Sequence, residues 1–219
     1  MPFGVDEAGK GPALGSMFAA AVFLEDRTVL PDGIADSKRL TPARREELAT
    51  LIREADEIAV GVAEITTTRI DDPETDMNSL AVTAHAEAID EVLSGVRDDS
   101  VSGLCDACDT DADRFARRVA DACSTPNDLE IDARHGADDD STLVGAASII
   151  AKVERDAHVA ALADEYGPVG SGYPSDPTTQ TFLESYVDEH GDLPPCARAS
   201  WSTCERALAE AQQTGLEQF

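Results

Sequence analysis

The chain has 219 residues, with 17 Lys and Arg against 44 Asp and Glu, so its formal net charge is −27 at pH 7. This length suits one domain, or one domain with a small appendage, and the 42% of hydrophobic residues are enough for a buried core. No apolar run reaches the roughly 18 residues of a membrane-spanning helix, so we expect no membrane span. The N-terminus lacks the basic and apolar regions of a signal peptide, so we expect a protein of the cytoplasm.

The negative charge supports two interpretations. Phosphate contacts dominate the affinity of nucleic-acid-binding proteins, which are therefore usually basic, and a charge of −27 argues against such a role. In a very salty cytosol, however, an acidic surface keeps a protein soluble, and at about 1 M salt the Debye length is only about 3 Å. The acidic residues are spread along the whole chain, which favours an adapted surface over a disordered acidic arm. Composition alone leaves both interpretations open.

The cysteines are odd in number and widely spaced, at Cys105, Cys108, Cys123, Cys196 and Cys204. This pattern does not predict a disulfide framework. Cys105 and Cys108 form one CxxC, but no second pair stands at the spacing of a zinc site, so we interpret them as structural or incidental thiols.

The predicted strands come early in the chain and the helices late. In chain order we predict strands at residues 3–6 and 13–24, a helix at 42–55 with Thr41 as its N-cap, a strand at 58–65, a helix at 76–93, a strand at 103–106, a helix at 111–123, a strand at 129–131, and helices at 143–166, 177–190 and 200–213. This order predicts an α/β fold followed by a helical C-terminal region.

Carboxylates follow two of the predicted strands. Asp6 and Glu7 end the first strand and lead into a glycine-rich turn, where backbone N–H groups can approach a ligand because glycine has no Cβ. Asp106 ends another strand, and residues 138–140 are three aspartates just before a helix, whose N-terminal dipole favours anions. Each group taken alone is more often a solvated acidic turn.

The first carboxylate pair also lies inside a near match to a phosphate-binding P-loop. Gly4, Gly9 and Lys10 fit the GxxxxGK part of that motif, but Gly11 stands where a Ser or Thr hydroxyl is needed for Mg²⁺. Asp6 and Glu7 would also place negative charge inside the phosphate cradle.

The ordered set of motifs resembles the ribonuclease HII family in its archaeal form, from residue 4 to about residue 201. The segment GVDEAGKGP at 4–12 resembles the family's GxDEAGRGP signature, with Lys10 in place of Arg. The other matching segments are DSK at 36–38, MN at 77–78, DA at 106–107, AD at 137–138, SIIAKVERD at 148–156, GSGYPSDP at 170–177 and RASW at 198–201. Gly145 stands where Ser is common in the family. Asp138, Asp139 and Asp140 are all candidates for the fourth acidic position, and the register from Ser148 favours Asp138.

The resemblance implies an RNase H-like fold, a five-stranded mixed sheet flanked by helices, with a catalytic domain at 1–166 and a helical C-terminal region at 167–219. Asp6 and Asp106 would lie on adjacent central strands. The residues implied to be catalytic, and to hold two Mn²⁺ or Mg²⁺ ions, are Asp6, Glu7, Asp106 and Asp138. The residues implied to bind substrate are Gly9, Lys10, Gly11, Ser37, Lys38, Lys152 and Tyr173.

The implied activity is that of an endoribonuclease, expected to act as a monomer. It would hydrolyse the RNA strand of RNA–DNA hybrids and cut 5′ of ribonucleotides embedded in duplex DNA, leaving 5′-phosphate and 3′-hydroxyl ends. Two other functions stay open at this point: an acidic protein that binds divalent cations without nuclease activity, and a P-loop nucleotide hydrolase.

Overall fold

The computed structural model describes residues 2–34, 40–96, 100–125 and 128–216. The strands are β1 Pro2–Ala8, β2 Met17–Leu24, β3 Ile58–Ile65, β4 Ser100–Asp106 and β5 Asp128–Arg134. The helices are α1 Pro42–Glu54, α2 Thr67–Ile70, α3 Met77–Leu93, α4 Ala112–Ala122, α5 Ala137–Asp140, α6 Thr142–Tyr166, α7 Pro177–His190 and α8 Ser202–Leu216. A short 3₁₀ helix lies at Arg27–Val29.

The five strands form one mixed sheet in the order β3-β2-β1-β4-β5. Strand β1 is central, pairing antiparallel with β2 and parallel with β4, and β4 pairs parallel with β5. In the β1–β4 ladder Val5 lies opposite Cys105, so Asp6 and Asp106 follow at the same edge of the sheet. The predicted five-stranded mixed sheet and the adjacent positions of the two strands are therefore confirmed.

Small residues allow the helices to approach the central strands closely. All eight residues of β2, MFAAAVFL, are buried. A Cβ added at Gly4 would lie 2.6 Å from the backbone of Leu143 and Val144, so α6 contacts β1 directly there. On β4, a Cβ at Gly103 would lie 2.0 Å from the ring of Phe3, which fills that space. These close contacts determine which side chains each strand can carry.

The chain divides into two compact units. The first, here called the sheet unit, comprises Met1–Ala8, Met17–Glu64 and Met77–Arg155; the second unit comprises Gly9–Ser16, Ile65–Asp76 and Asp156–Phe219. The second unit has its own apolar core, which includes Leu14, Val169 and Leu183. The predicted division after residue 166 concerns domains of the implied fold and stays a prediction.

Most predicted elements are present, and the differences lie mainly at element ends. The strand predicted at 13–24 begins only at Met17, because the N–H groups of Ala13 and Leu14 donate to the carbonyl of Gly172, at 2.7 and 3.3 Å, rather than to a strand. The last helix begins at Ser202, since Ser200 is bound to Asp71. The short helices α2 and α5 were not predicted.

All five cysteines are free thiols. Among the described residues, no helix is both long enough and apolar enough to cross a membrane.

We expect Gly4→Ala to lower the free energy of unfolding by about 1–3 kcal/mol, the usual cost of overpacking a filled core. The added methyl group would meet the α6 backbone, which cannot move aside as a flexible side chain can. Urea unfolding followed by circular dichroism measures the change. Gly95→Ala is the matched control, because a Cβ there meets no atom of the described residues within 4 Å. Equal stability of the two variants would contradict the close contact.

Candidate active site

Asp6 is a buried carboxylate at the end of the central strand. Only 5% of the residue is exposed, and its Oδ1 accepts a hydrogen bond from the N–H of Glu7 at 2.8 Å. Burial raises the pKa of Asp6 well above its usual value, and the negative charges of Glu7 and Asp106 raise it further. Asp6 is therefore close enough to two other carboxylates for all three to repel one another.

Two side chains of α6 stabilise the Asp6 carboxylate. Ser148 makes a side-chain hydrogen bond to Asp6 that lowers the pKa of this group. Lys152, one helical turn further on, donates from Nζ to the Ser148 hydroxyl at 2.6 Å, and its charge also lowers the pKa of Asp6. Lys152 thus joins the carboxylate cluster through Ser148.

Asp106 and Asp138 are linked by a tight turn. The N–H of Ala137 donates to Asp106 Oδ1 at 2.7 Å, and Gly136 enters α5 with a φ of 68°, a left-handed conformation that favours glycine. Burial raises the pKa of Asp106, the charge of Asp138 raises it further, and the Ala137 hydrogen bond opposes the rise. Asp138 is only 3% exposed, whereas the two aspartates after it are exposed. Of the three aspartates, Asp138 is the one that lies beside Asp106.

Asp109 has a different environment from Asp106. Both of its oxygens accept hydrogen bonds from one Nη of Arg114, at 2.7 and 2.8 Å. The Arg114 guanidinium lowers the pKa of Asp109 to about 2. A carboxylate with its own cation gains little from a metal ion, so Asp106 is the better candidate ligand of the two.

Glu7 contacts a histidine that the sequence analysis did not single out. His85 of α3 is fully buried, and its Nε2 lies 2.9 Å from Glu7 Oε2. In the sequence, His85 stands inside an apolar helical stripe that includes Ala84 and Ala88. A histidine at such a position is usually interpreted as a core residue whose hydrogen bonds are made within the core. The signal available was a single polar side chain on an otherwise apolar face.

The donor chemistry of this cluster fits a hard divalent cation. A bound cation reduces the repulsion between neighbouring carboxylates. Oxygen ligands suit Mg²⁺ or Mn²⁺. Among the described residues, no three Asp, Glu, His or Cys side chains are grouped closely enough to enclose an ion by themselves. Mg²⁺ usually takes one or two carboxylates, with waters and substrate phosphate completing its shell, so an open arrangement is compatible with it.

In the second unit, the carbonyls of the glycine-rich turn are held by a buried arginine and a tryptophan. Arg198 is fully buried and donates to the carbonyls of Gly9 at 2.6 Å, Lys10 at 3.0 Å and Gly15 at 2.8 Å. Trp201 Nε1 donates to the Gly11 carbonyl at 3.2 Å, and the Arg198 guanidinium lies 5.0 Å from the Trp201 ring. The RASW motif thus positions this turn, a role that the sequence analysis did not assign.

Tyr173 lies on a braced loop beside the same turn. The tyrosine is 46% exposed, and its ring lies 3.7 Å from where a Cβ of Gly11 would be. Asp176 accepts from the N–H and the hydroxyl of Ser171, both at 2.7 Å. These and other loop hydrogen bonds lower the pKa of Asp176 to about 2. The loop therefore presents an exposed aromatic ring from a fixed backbone.

The predicted site residues fall into three groups. Those brought together in the sheet unit are Asp6, Glu7, Asp106, Asp138 and Lys152. Those brought together in the second unit are Gly9, Lys10, Gly11 and Tyr173. Ser37 and Lys38 lie outside the described residues.

The P-loop alternative does not match the backbone. Gly4 lies within β1, and the chain after Lys10 continues to β2 rather than to a helix. A P-loop binds phosphate at the start of a helix, so these residues do not form one.

Comparison with solved structures identifies the class of fold. The ribonuclease H2 from Pyrococcus horikoshii OT3 is similar to this chain with a TM-score of 0.87 and 34% identity, covering 97% of this chain and 99% of that one. Bst-RNase HIII in complex with Mn²⁺ has a TM-score of 0.80 over 97% of this chain and 70% of its own, at 19% identity, which shows the fold alone. The sheet and its flanking helices are thus an RNase H-like fold, as predicted.

Sequence comparison then identifies the family. The family model for Ribonuclease HII matches residues 3–204. The ribonuclease HII of Haloarcula marismortui, a halophilic archaeon, is 63% identical over 219 residues, which is 100% of both chains. The chain belongs to the ribonuclease HII family and is an enzyme of the ribonuclease H class, which acts on RNA–DNA hybrids. The resemblance inferred from the motifs is confirmed.

We expect Asp6→Asn to stabilise the protein at neutral pH in the presence of a chelator. The pKa of Asp6 is raised in the folded state, so folding favours the protonated form, and stability is lost as the pH rises from the unfolded value of about 3.9 through the folded pKa. Asparagine removes this loss. The variant should therefore be more stable than wild type at pH 7, by a margin that narrows as the pH falls.

Urea unfolding at a fixed high salt concentration, from about pH 7 down to about pH 5, measures this margin. Asp121→Asn, which removes an exposed carboxylate of α4, is the control for the change in net charge. A less stable Asp6→Asn protein at pH 7 would show that the carboxylate is not strained by its neighbours.

Proposed function

We propose that this enzyme cuts duplex DNA on the 5′ side of embedded ribonucleotides, besides hydrolysing the RNA strand of RNA–DNA hybrids, through Asp6, Glu7, Asp106 and Asp138. The observation that carries the proposal is the grouping of Asp6 and Glu7 of β1 with Asp106 of β4 and Asp138 of α5. Burial raises the pKa of both Asp6 and Asp106, and the charges of the neighbouring carboxylates raise it further. Repulsion between buried carboxylates lowers the stability of the fold. Groups that are kept together despite this cost are candidates for a functional site.

We propose that the four carboxylates hold two divalent cations, Mg²⁺ or Mn²⁺. Bound there, the ions would activate a water and stabilise the leaving 3′-oxygen, which gives 5′-phosphate and 3′-hydroxyl ends. Asp6 and Asp106 offer oxygens from adjacent strands, and Glu7 and Asp138 complete the set. The Mn²⁺ complex of Bst-RNase HIII, a protein of the same fold, supports this choice of ion.

The positive charge of Lys152 has two uses in this proposal. Through Ser148 it stabilises the ionised form of Asp6, the form needed to bind a cation. Its ammonium group is also the candidate for positioning a substrate phosphate, as the family resemblance implies. Ser37 and Lys38 stay predicted phosphate contacts.

We propose that the ribose 2′-OH is recognised by the turn of Gly9, Lys10 and Gly11 together with Tyr173. The 2′-OH is the group that distinguishes RNA from DNA. Since Arg198 and Trp201 hold the carbonyls of the turn, its N–H groups are the ones assigned to the substrate. The Tyr173 ring would pack on the sugar or base.

The proposal includes a working environment of high salt and a monomer in the cytoplasm. The net charge of −27 would repel nucleic acid at low ionic strength. At about 1 M salt, charges more than about 3 Å apart are largely screened, so only the charged groups next to the substrate affect its binding. The relative in Haloarcula marismortui supports this setting.

We expect Asp6→Asn and Asp106→Asn each to lower kcat/KM at least about 100-fold, since loss of even an outer partner of a metal ligand costs about 10- to 100-fold. The substrate is a labelled DNA duplex with one ribonucleotide, incubated in high salt with Mg²⁺ or Mn²⁺. Cleavage 5′ of the ribonucleotide by the wild type, and none of an all-DNA duplex, is the expected result.

The matched control is Asp121→Asn, which removes an exposed carboxylate of the same unit and should cleave normally. Undiminished cleavage by Asp6→Asn would show that the assigned carboxylates are wrong. Absence of cleavage by the wild type in both metals would favour cation binding without embedded-ribonucleotide cleavage.

We expect Tyr173→Ala to lower kcat/KM on the same duplex about 10- to 100-fold, because stacking of an aromatic ring on a base contributes about 1–3 kcal/mol. Leu51→Ala is the control, as Leu51 is 45% exposed against 46% for Tyr173 and lies on α1. Steady-state kinetics at several duplex concentrations measure both variants. A Tyr173→Ala enzyme as active as Leu51→Ala would remove Tyr173 from the substrate site.

A further inference from the structure

We propose that His85 is a positioning residue for Glu7, holding its carboxylate in the orientation in which it takes part in cation binding. The inference deepens the proposed function of the carboxylate cluster and rests on it. It concerns a residue of α3 that none of the recognised motifs contains.

The contact joins a rigid element to a candidate ligand. His85 Nε2 lies 2.9 Å from Glu7 Oε2, with the histidine side chain 0% exposed and the glutamate side chain 12% exposed. The imidazole meets the ring of Phe115 edge-on, with centroids 5.0 Å apart and an interplanar angle of 85°. A ring fixed in this way can impose its own orientation on the more exposed carboxylate.

The other ring nitrogen makes His85 more costly to bury than an apolar side chain. His85 Nδ1 is buried and has no hydrogen-bond partner among the described residues. A proton on Nδ1 would therefore be buried without an acceptor, so the packing supports the tautomer that donates from Nε2 to Glu7. An apolar side chain of similar size would avoid the buried unsatisfied nitrogen, and would lose the contact with Glu7 and the edge-on ring contact with Phe115.

The geometry also indicates what the contact does. With Oε2 in contact with His85, Glu7 Oε1 is the oxygen that would contact a bound cation. Side chains that hydrogen-bond a metal ligand from behind fix its orientation, and their loss typically costs about 10- to 100-fold in metal affinity or activity. Without His85 the glutamate would sample other rotamers, and part of its alignment would be lost.

His85→Leu and His85→Gln separate positioning from packing. Leucine fills the core and removes the donor, whereas glutamine retains an N–H that can reach the same oxygen. We expect His85→Leu to match or exceed the wild-type melting temperature in a chelator, to bind Mn²⁺ about 10- to 100-fold more weakly by titration calorimetry, and to show a lower kcat with little change in the KM for the duplex. His85→Gln should recover most of the Mn²⁺ affinity.

Ile89→Val is the matched control, a small change at a fully buried position of the same helix. It should leave Mn²⁺ affinity unchanged. Wild-type Mn²⁺ affinity in His85→Leu, or an equal loss of melting temperature in His85→Leu and His85→Gln without recovery by glutamine, would overturn the positioning role.

Glu7→Gln distinguishes failure of this inference from failure of the proposed function. If Glu7→Gln cleaves and binds Mn²⁺ normally, the assignment of Glu7 to the site is wrong, and the role of His85 is overturned with it. If Glu7→Gln loses both properties while His85→Leu keeps them, only the role of His85 is overturned.

Discussion

The parallel pairing of β1 with β4 determines what this chain can do chemically. In that register Val5 lies opposite Cys105, so each strand ends beside a carboxylate, Asp6 on one and Asp106 on the other. Buried neighbouring carboxylates raise each other's pKa, and the surrounding groups must offset this repulsion. Ser148 and Lys152 of α6 do so for Asp6, and the N–H of Ala137 does so for Asp106.

Much of the fold and of the candidate site could be predicted from the sequence, because strand ends, helix caps and carboxylates leave local patterns. The helix that Thr41 caps is an example. The placement of Asp6 and Asp106 on adjacent strands was implied by the resemblance of the motifs to ribonuclease HII, and the strand pairing agrees with it. The start of β2 could not be predicted, since Ala13 and Leu14 are apolar like the strand, and their hydrogen bonds go to a loop far along the chain. His85 was missed for the same reason: its partner, Glu7, lies 78 residues away.

The contrast between the whole-chain charge and the local charge explains why composition alone was ambiguous. A net charge of −27 describes the surface as a whole, but a ligand at high salt responds to groups within a few ångströms. Individual carboxylates of this chain differ greatly in their neighbouring charges and therefore in their pKa values. Asp109 is neutralised by Arg114 and has a pKa of about 2, whereas burial raises the pKa of Asp6. The chemistry therefore depends on which few acidic groups are buried together.

The hydrogen bonds from Arg198 to the glycine-rich turn have a consequence for how such an enzyme evolves. Under the proposed function, the 2′-OH is recognised by peptide groups, which every amino acid carries, so exchange of Lys10 for arginine leaves recognition intact. The guanidinium that shapes those peptide groups is 188 residues away from Lys10 in sequence. Selectivity for ribose would then change mainly through substitutions near the C-terminus. Two homologues with identical turns could therefore differ in how well they distinguish ribose from deoxyribose.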